Sequence, residues 1–267
     1  MSDALAGRRI VVTRPRDDGH LRRLLEAEGA AVLECPAIQI APPSDYGPLD
    51  GALRNLAAYS WIVFTSRNGV AAVAGRLAAL GMRPDALTGV RLAVIGPGTG
   101  EALRGHGLAA ALAPEEFRAE ALVEAFAGRD VRGVRVLLPR AAAARDVLPD
   151  GLRALGAAVD VVAAYRTEPG APAPDVLQAV RAGAIDAVTF TSSSTVRHFL
   201  QLAGPDARRV LECTLIACIG PVTAETARDA GLRVGAVAST YTLAGLVEAL
   251  RRALGERRGS VVPFRGR

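Results

Sequence analysis

The chain has 267 residues, half of them hydrophobic, and a net charge of +5 from 32 basic and 27 acidic side chains. This length and hydrophobic content exceed what one core usually absorbs, so we expect two domains of ordinary size. All 32 basic residues are arginines, and the absence of lysine excludes P-loop, Schiff-base and pyridoxal-phosphate chemistry.

Arginine-only positive charge favours the binding of anions. A guanidinium matches the geometry of carboxylates and phosphates, so a polycarboxylate and a nucleic acid are both compatible with this composition. A GC-rich genome also explains an arginine bias without any ligand. The sequence has neither an apolar signal stretch at its start nor a run of about 20 apolar residues, and we expect a cytoplasmic protein without a membrane partner.

The cysteines and histidines indicate neither disulfides nor a metal site. An odd number of cysteines without CxxC spacing predicts buried thiols at Cys35, Cys213 and Cys218. No metal-ligand spacing and no hydrolase triad order relates the three histidines, which are His20, His106 and His198. We therefore expect no metal centre.

Short β-branched runs alternate with helical stretches along the chain, beginning with a strand over Ile10–Thr13 and a helix over Leu21–Glu28. This alternation predicts an α/β fold with doubly wound parallel sheets. Such sheets bind ligands beyond the carboxyl ends of their strands. The predicted strands end at Thr13, Phe64, Ile95, Leu138, Phe190 and Ile219.

The chain contains two matching copies. Trp61–Val70 corresponds to Ala187–Val196, and Leu92–Glu101 corresponds to Ile216–Glu225, at offsets of 187 − 61 = 126 and 216 − 92 = 124. Matches in the same order at a nearly constant offset predict a duplicated unit of about 125 residues. Each copy has one proline-bearing extended segment, Glu34–Pro43 in the first and Val161–Pro169 in the second. Such segments are typical of interdomain connectors.

The turn that follows the predicted strand ending at Phe64 joins it to a helix, and it has a counterpart after Phe190. Free N–H groups at a helix start form an anion pocket, and hydroxyls there either bind the anion or only cap the helix. We identify the residues of both turns as candidate ligand-binding residues: Thr65, Ser66, Arg67, Asn68, Thr191, Ser192, Ser193 and Ser194.

A second pair of turns contains Thr99 in Gly96-Pro-Gly-Thr-Gly and Thr223 in Gly220-Pro-Val-Thr-Ala. Neither has GxGxxG spacing, which disfavours a dinucleotide site, while glycine and proline allow an acidic ligand to approach the backbone. Arg14 and Arg140 end the first strand of each copy and are either ligand-binding or solvated surface residues.

Tyr165 lies in the second extended segment. Its phenol is a candidate hydrogen-bond or proton donor, and packing of its ring between domains is the alternative.

The ordered set of motifs over residues 7–254 resembles the uroporphyrinogen-III synthase family. The motifs are Val12-Thr-Arg-Pro, the two Phe-Thr-Ser turns, the two Ile-Gly-Pro-x-Thr turns and Tyr165-Arg-Thr. The resemblance implies two similar domains with a cleft between them, formed by exchange of chain segments. The expected boundaries are 1–36 with 168–256 for the first domain, 41–162 for the second, 37–40 and 163–167 for the connectors, and 257–267 for a basic tail.

The resemblance also implies a reaction. The family substrate, hydroxymethylbilane, carries eight carboxylates, loses its terminal hydroxyl as water and closes through a spiro intermediate with its last ring (ring D) inverted. No cofactor is expected, because the electron-rich pyrrole expels its own hydroxyl and the protein orients the chain. Tyr165 matches a family tyrosine proposed to assist departure of the hydroxyl, and Thr99 and Thr223 match cleft threonines. The enzyme would be a monomer that receives its substrate by transient handover from hydroxymethylbilane synthase.

Two alternatives remain open at this stage. The first is a non-enzymatic, two-lobed anion-binding or regulatory protein. The second is nucleic-acid regulation, suggested by an isoelectric point of about 9.7 and the basic tail, although no helix-turn-helix is visible and we expect no nucleic-acid partner. The sequence also leaves open which copy binds more carboxylates, because Arg67-Asn68 of one corresponds to Ser193-Ser194 of the other.

Overall fold

A computed structural model describes residues 4–14 and 19–259. By its internal contacts the described chain divides into two compact units. Unit 1 contains the residues up to Gln39 and those from Glu168 onward, and unit 2 is Ile40–Thr167. Most of the predicted basic tail, residues 260–267, lies outside the described residues.

The strands alternate with helices along most of the described chain. In chain order the strands are β1 (Arg9–Val12), β2 (Ala31–Glu34), β3 (Ile38–Ala41), β4 (Trp61–Phe64), β5 (Arg91–Val94), β6 (Arg135–Ala141), β7 (Ala158–Pro169), β8 (Ala187–Phe190), β9 (Leu215–Cys218) and β10 (Val234–Val237). The helices are α1 (His20–Ala27), α2 (Gly47–Arg54), α3 (Arg67–Ala79), α4 (Pro97–Arg104), α5 (Ala119–Ala127), α6 (Val147–Ala154), α7 (Pro174–Arg181), α8 (Ser193–Ala203), α9 (Ala207–Val210), α10 (Pro221–Asp229) and α11 (Leu243–Gly259). Short 3-10 helices cover Leu56–Ala58 and Pro84–Gly89.

Unit 1 is built on a five-stranded sheet with the order β10-β9-β8-β1-β2, and its pairs are parallel. Successive residues of β1 belong to different cores, because strand side chains alternate between the faces. Val11 packs with α7 to α10, whereas Ile10 and Val12 pack with α1 and α11. Helices therefore cover both faces, which explains why the strands are hydrophobic throughout.

Unit 2 has a second five-stranded sheet with the order β3-β7-β6-β4-β5. The pairs β4–β5, β4–β6 and β6–β7 are parallel. Ile62 and Phe64 pack against α2 to α4, whereas Trp61 and Val63 pack against α5 and α6. The predicted doubly wound α/β arrangement is therefore present in each unit.

The segments predicted as connectors are strands of the second sheet. Residues 37–40 fall largely within β3, and residues 163–167 lie inside the twelve-residue strand β7, which adjoins β3. The run of valine and alanine before Tyr165 continues the pairing with β6, up to the pair of Ala141 with Tyr165. Tyr165 consequently packs in the core of unit 2.

Two further sequence predictions need correction. Cys35 and Cys218 are buried as expected, but Cys213 is exposed because it lies in the turn before β9 and not within that strand. Helix α11 continues to Gly259, three residues into the predicted tail, and arginine is a good helix former. Across residues 4–14 and 19–259, no helix has both the length and the apolar character needed to span a membrane.

Candidate active site

The carboxyl edge of the sheet in unit 2 contains the start of helix α3. Ser66 is its N-cap residue, has extended backbone angles, and accepts a hydrogen bond through Oγ from the Gly69 N–H at 3.1 Å. The same Oγ lies 2.9 Å from the Tyr165 hydroxyl. A Cβ on Gly69 would lie 3.3 Å from the Pro139 carbonyl oxygen, so the absence of a side chain lets α3 begin close to β6.

Burial of Tyr165 sets the chemistry of its phenol. The residue is 8% exposed, and this burial raises its pKa, while hydrogen bonds to Ser66 and Asn68 oppose the increase. Because the net direction is upward from a normal value of about 10, the phenol is neutral near pH 7. It is therefore a hydrogen-bond donor, with the backbone of β7 fixing its position.

Helix α4 begins in the neighbouring loop of unit 2. Pro97 occupies its first position, where a missing N–H costs nothing, and Thr99 is only 6% exposed in its first turn. A Cβ on Gly98 would lie 3.3 Å from Cδ of Arg67, so the Arg67 side chain lies against this loop. The predicted residues Arg67 and Thr99 are thus brought to adjacent loops.

Arg140 lies near the end of β6, and residues of the loop after this strand hold its side chain. Its side chain is 11% exposed, forms an ion pair with Asp146 and donates from Nη1 to the Arg145 carbonyl at 2.8 Å. Its Nε is buried and has no hydrogen-bond partner among the described residues. Asp146 is not among the residues predicted from the sequence, although its place immediately before α6 was a usable signal because acidic residues favour helix starts.

In unit 1 the corresponding helix α8 begins with a capping box. Ser192 Oγ accepts from the Thr195 N–H at 3.3 Å, and the Ser192 N–H donates to Thr195 Oγ1 at 3.2 Å. Ser192 and Ser194 lie within hydrogen-bond distance of one another through their hydroxyls, at 2.9 Å. The capping role considered for Ser66 and Ser192 is therefore present at both helix starts.

Ser193 connects α8 to helix α10. Its Oγ lies 2.7 Å from Oγ1 of Thr226, one turn after Thr223. Thr223 is 6% exposed and occupies the same position in α10 that Thr99 occupies in α4, third after the N-cap glycine. Arg14 is half-buried two residues after β1.

The predicted residues of each unit therefore lie at or beside the carboxyl edge of its sheet. Thr65 and Thr191 immediately precede the two serine caps and are half-buried. A surface groove of about 680 Å³ lies at the opposite edge of the sheet in unit 2, lined by residues 127–132 and 154–156, and it contains none of the predicted site residues. Within the described ranges, no group of three or more His, Cys, Asp and Glu side chains is arranged to hold a metal ion.

Comparisons with known proteins give matches from one family. Residues 19–248 match the family model described as uroporphyrinogen-III synthase HemD. The uroporphyrinogen-III synthase of Synechococcus elongatus is 37% identical over 255 residues, covering 93% of this chain and 96% of the relative. A putative uroporphyrinogen-III synthase of Methanothermobacter thermautotrophicus is 32% identical over 261 residues, covering 92% of this chain and 99% of the relative.

Solved structures are similar in fold. A crystal structure of a mutant uroporphyrinogen III synthase from Thermus thermophilus has a TM-score of 0.68 at 21% identity, covering 94% of this chain and 100% of the other. The uroporphyrinogen-III synthetase of Helicobacter pylori has a TM-score of 0.58 at 18% identity, covering 90% and 97%.

Proposed function

The chain belongs to the uroporphyrinogen-III synthase family, whose members are cyclising lyases, and we propose that it converts hydroxymethylbilane to uroporphyrinogen III with loss of water and inversion of ring D. The observation that carries the assignment of residues is the contact between Tyr165 and Ser66. A neutral phenol lies 2.9 Å from a serine hydroxyl at a helix start, where an anionic substrate is stabilised.

Four helix starts supply the binding groups for the substrate carboxylates. Helices α3 and α4 begin at the carboxyl edge in unit 2, and α8 and α10 begin at the corresponding edge in unit 1. The first-turn N–H groups of a helix lack intrahelical acceptors and its dipole favours negative charge. Thr99 and Thr223 add hydroxyls that make no hydrogen bond within the described part of the chain.

The arginines of the site contribute in different ways. Arg67 follows the Ser66 cap and reaches the loop of Thr99, so we propose that it binds a carboxylate beside α3 and α4. Arg140 is engaged by Asp146, and any substrate carboxylate that it binds competes with that residue. Arg14 follows β1 at the edge from which α8 and α10 begin.

Tyr165 assists the departure of the hydroxyl group. The pyrrole that carries the hydroxymethyl group supplies the electron pair, the C–O bond breaks, and the oxygen takes up a proton from solvent and leaves as water. The Tyr165 phenol donates a hydrogen bond to that oxygen, and its raised pKa means that it stays protonated during the step. Ring D then attacks the azafulvene through its substituted carbon, and after rearrangement the loss of a proton restores the pyrrole.

The direct test supplies fresh hydroxymethylbilane, oxidises the products and separates the ring isomers. Spontaneous closure without enzyme gives isomer I, so an excess of isomer III is the expected result for the wild-type protein. Isomer I alone from folded protein would leave only the anion-binding alternative.

The residue assignment has its own matched control. Tyr165→Phe is expected to lower kcat by roughly 10- to 100-fold, as expected for the loss of one positioned donor. Tyr59→Phe removes another buried phenol from the same core, and burial of this phenol, together with its hydrogen bond to Asp160, raises its pKa to about 12. Tyr59→Phe is expected to retain wild-type kcat. Equal kcat in both variants would remove Tyr165 from the mechanism.

We further propose that the chain acts as a cytoplasmic monomer and descends from an internal duplication. The buried free thiols of Cys35 and Cys218 fit a reducing compartment, and every binding group named above comes from one chain. The instability of the linear substrate favours transient handover from hydroxymethylbilane synthase. Light scattering measures the molar mass in solution and so tests the monomeric state. Trapping of free hydroxymethylbilane in an assay that couples the two enzymes tests the handover.

A further inference from the structure

We propose that Phe117 and Tyr241 form a matched pair of ring-binding residues, one in each unit, that pack against pyrrole rings of the tetrapyrrole while neighbouring helix starts bind its carboxylates. The inference rests on the proposed function and adds residues that recognise the flat part of the substrate. Neither residue is among the serines, threonines, arginines and tyrosine assigned above to substrate binding or catalysis.

The two aromatic residues occupy corresponding places in the two sequence copies. Their separation, 241 − 117 = 124, equals the separation of Gly220 from Gly96, 220 − 96 = 124. Each aromatic residue lies two positions before a helix, Phe117 before α5 and Tyr241 before α11. An aromatic side chain is thus present at the same point of both copies.

Each aromatic residue also lies beside the glycine that caps a helix of the site. A Cβ on Gly220 would lie 3.5 Å from Cγ and Cδ1 of the Tyr241 ring, and a Cβ on Gly96 would lie 3.8 Å from Cβ of Phe117. Gly96 and Gly220 are the N-cap residues of α4 and α10. The glycines therefore allow an aromatic side chain to lie next to a proposed carboxylate-binding helix start in both units.

Exposure of apolar groups at these loops fits a ligand with both flat rings and acidic arms. Phe117 is 38% exposed although it is a large hydrophobic residue, and Val222 in the first turn of α10 is 37% exposed. Thr99 and Thr223, at 6% exposure, are close in sequence to the two glycines. An aromatic face beside N–H and hydroxyl donors matches a pyrrole that carries carboxylate side chains.

Kinetics and binding of a stable probe test the proposal. Phe117→Ala and Tyr241→Ala are each expected to raise KM for hydroxymethylbilane about three- to tenfold, with kcat within about twofold of wild type. Both are also expected to weaken binding of uroporphyrin III, a stable octacarboxylate tetrapyrrole, by the same factor. Phe117→Tyr and Tyr241→Phe retain a ring and should restore both values.

The controls separate ring binding from packing. Val161→Ala shortens another exposed apolar side chain, in β7, and should leave KM unchanged. Phe117→Leu and Tyr241→Leu keep an apolar side chain without a flat ring, and they replace the alanine variants if those do not fold. They are expected to raise KM by about the same factor as the alanine variants. Wild-type KM and probe affinity in the folded alanine or leucine variants would overturn the proposal.

Failure of the proposed function has a different signature. If the wild-type protein yields isomer I alone, the synthase assignment fails, whereas reduced uroporphyrin binding by the ring-deficient variants would still support the pair. Isomer III from the wild type together with unchanged KM and binding in those variants would refute the pair alone.

Discussion

The hydrogen bond between Ser66 and Tyr165 makes a measurable contribution to the stability of unit 2. Ser66→Ala removes the N-cap of α3, which costs about 1 kcal/mol, and a neutral hydrogen bond to Tyr165, which contributes about 1 kcal/mol more. We therefore expect Ser66→Ala to lower the free energy of unfolding by about 2 kcal/mol. In a Tyr165→Phe background the hydrogen bond is already absent, and the same change should cost only about 1 kcal/mol. The expected coupling energy is about 1 kcal/mol.

Urea unfolding followed by tryptophan fluorescence provides the assay. Trp61 is the single tryptophan of the chain, lies in β4 of unit 2 and is 2% exposed, so its emission reports on this unit. With an m-value of about 2 kcal/mol/M, Ser66→Ala should lower the midpoint by roughly 1 M in the wild-type background and by roughly 0.5 M in the Tyr165→Phe background.

A second cycle controls for indirect effects. Tyr59 and Ser66 lie on either side of β4, separated by roughly 20 Å of extended chain. Ser66→Ala and Tyr59→Phe should therefore be additive. A coupling energy below about 0.3 kcal/mol for Ser66 with Tyr165 would refute the proposed contribution of their contact.

The remaining predictions concern stability outside this contact. A Cβ on Gly170 would lie 1.8 Å from a backbone carbonyl oxygen, so Gly170→Ala should destabilise the protein by about 3 kcal/mol. Gly51 lies at an exposed position in α2 with open space around it, and Gly51→Ala should stabilise the protein by about 0.5 to 1 kcal/mol. Thermal unfolding followed by circular dichroism measures both variants, and equal melting temperatures would contradict the prediction. The Arg76 guanidinium donates hydrogen bonds to Asp50 and lowers the pKa of that carboxyl. Because the folded-state pKa is below the unfolded value of about 3.9, the stabilisation is present above that pH and is lost as the pH falls through the lower folded value. The stability of wild type measured by Trp61 fluorescence should therefore decrease below about pH 4 more steeply than that of Asp50→Asn, and parallel pH profiles would exclude this contribution.

The sequence predicted the local features of the site. Serine at the end of a strand and before a helix indicated the caps at Ser66 and Ser192, because a cap is satisfied by an N–H only three residues away. Alternation of β-branched runs with helical stretches indicated parallel sheets with helices on both faces. Recurrence of the same motifs at an offset of 124 to 126 residues indicated two related sets of loops.

Other features depended on contacts between distant parts of the chain. Tyr165 meets Ser66 across a separation of 99 residues, and Arg140 is engaged by Asp146 in a loop that no periodic pattern describes. Phe117 and Tyr241 were not predicted from the sequence, because their place beside the glycine of a neighbouring loop is visible only in the structure.

The amino-acid sequence alone indicated most of the strands and helices and the two serine caps, since hydrophobic periodicity and capping act over a few residues, but it did not identify β3 and β7 as strands. The tertiary structure decided which of those elements are neighbours. Ile10 in β1 pairs with Ala187 in β8, and β6 lies beside β4. Side chains at strand ends become a site only when the strands adjoin, and the pairing of strands far apart in the chain is determined by packing of the whole unit and not by local pattern.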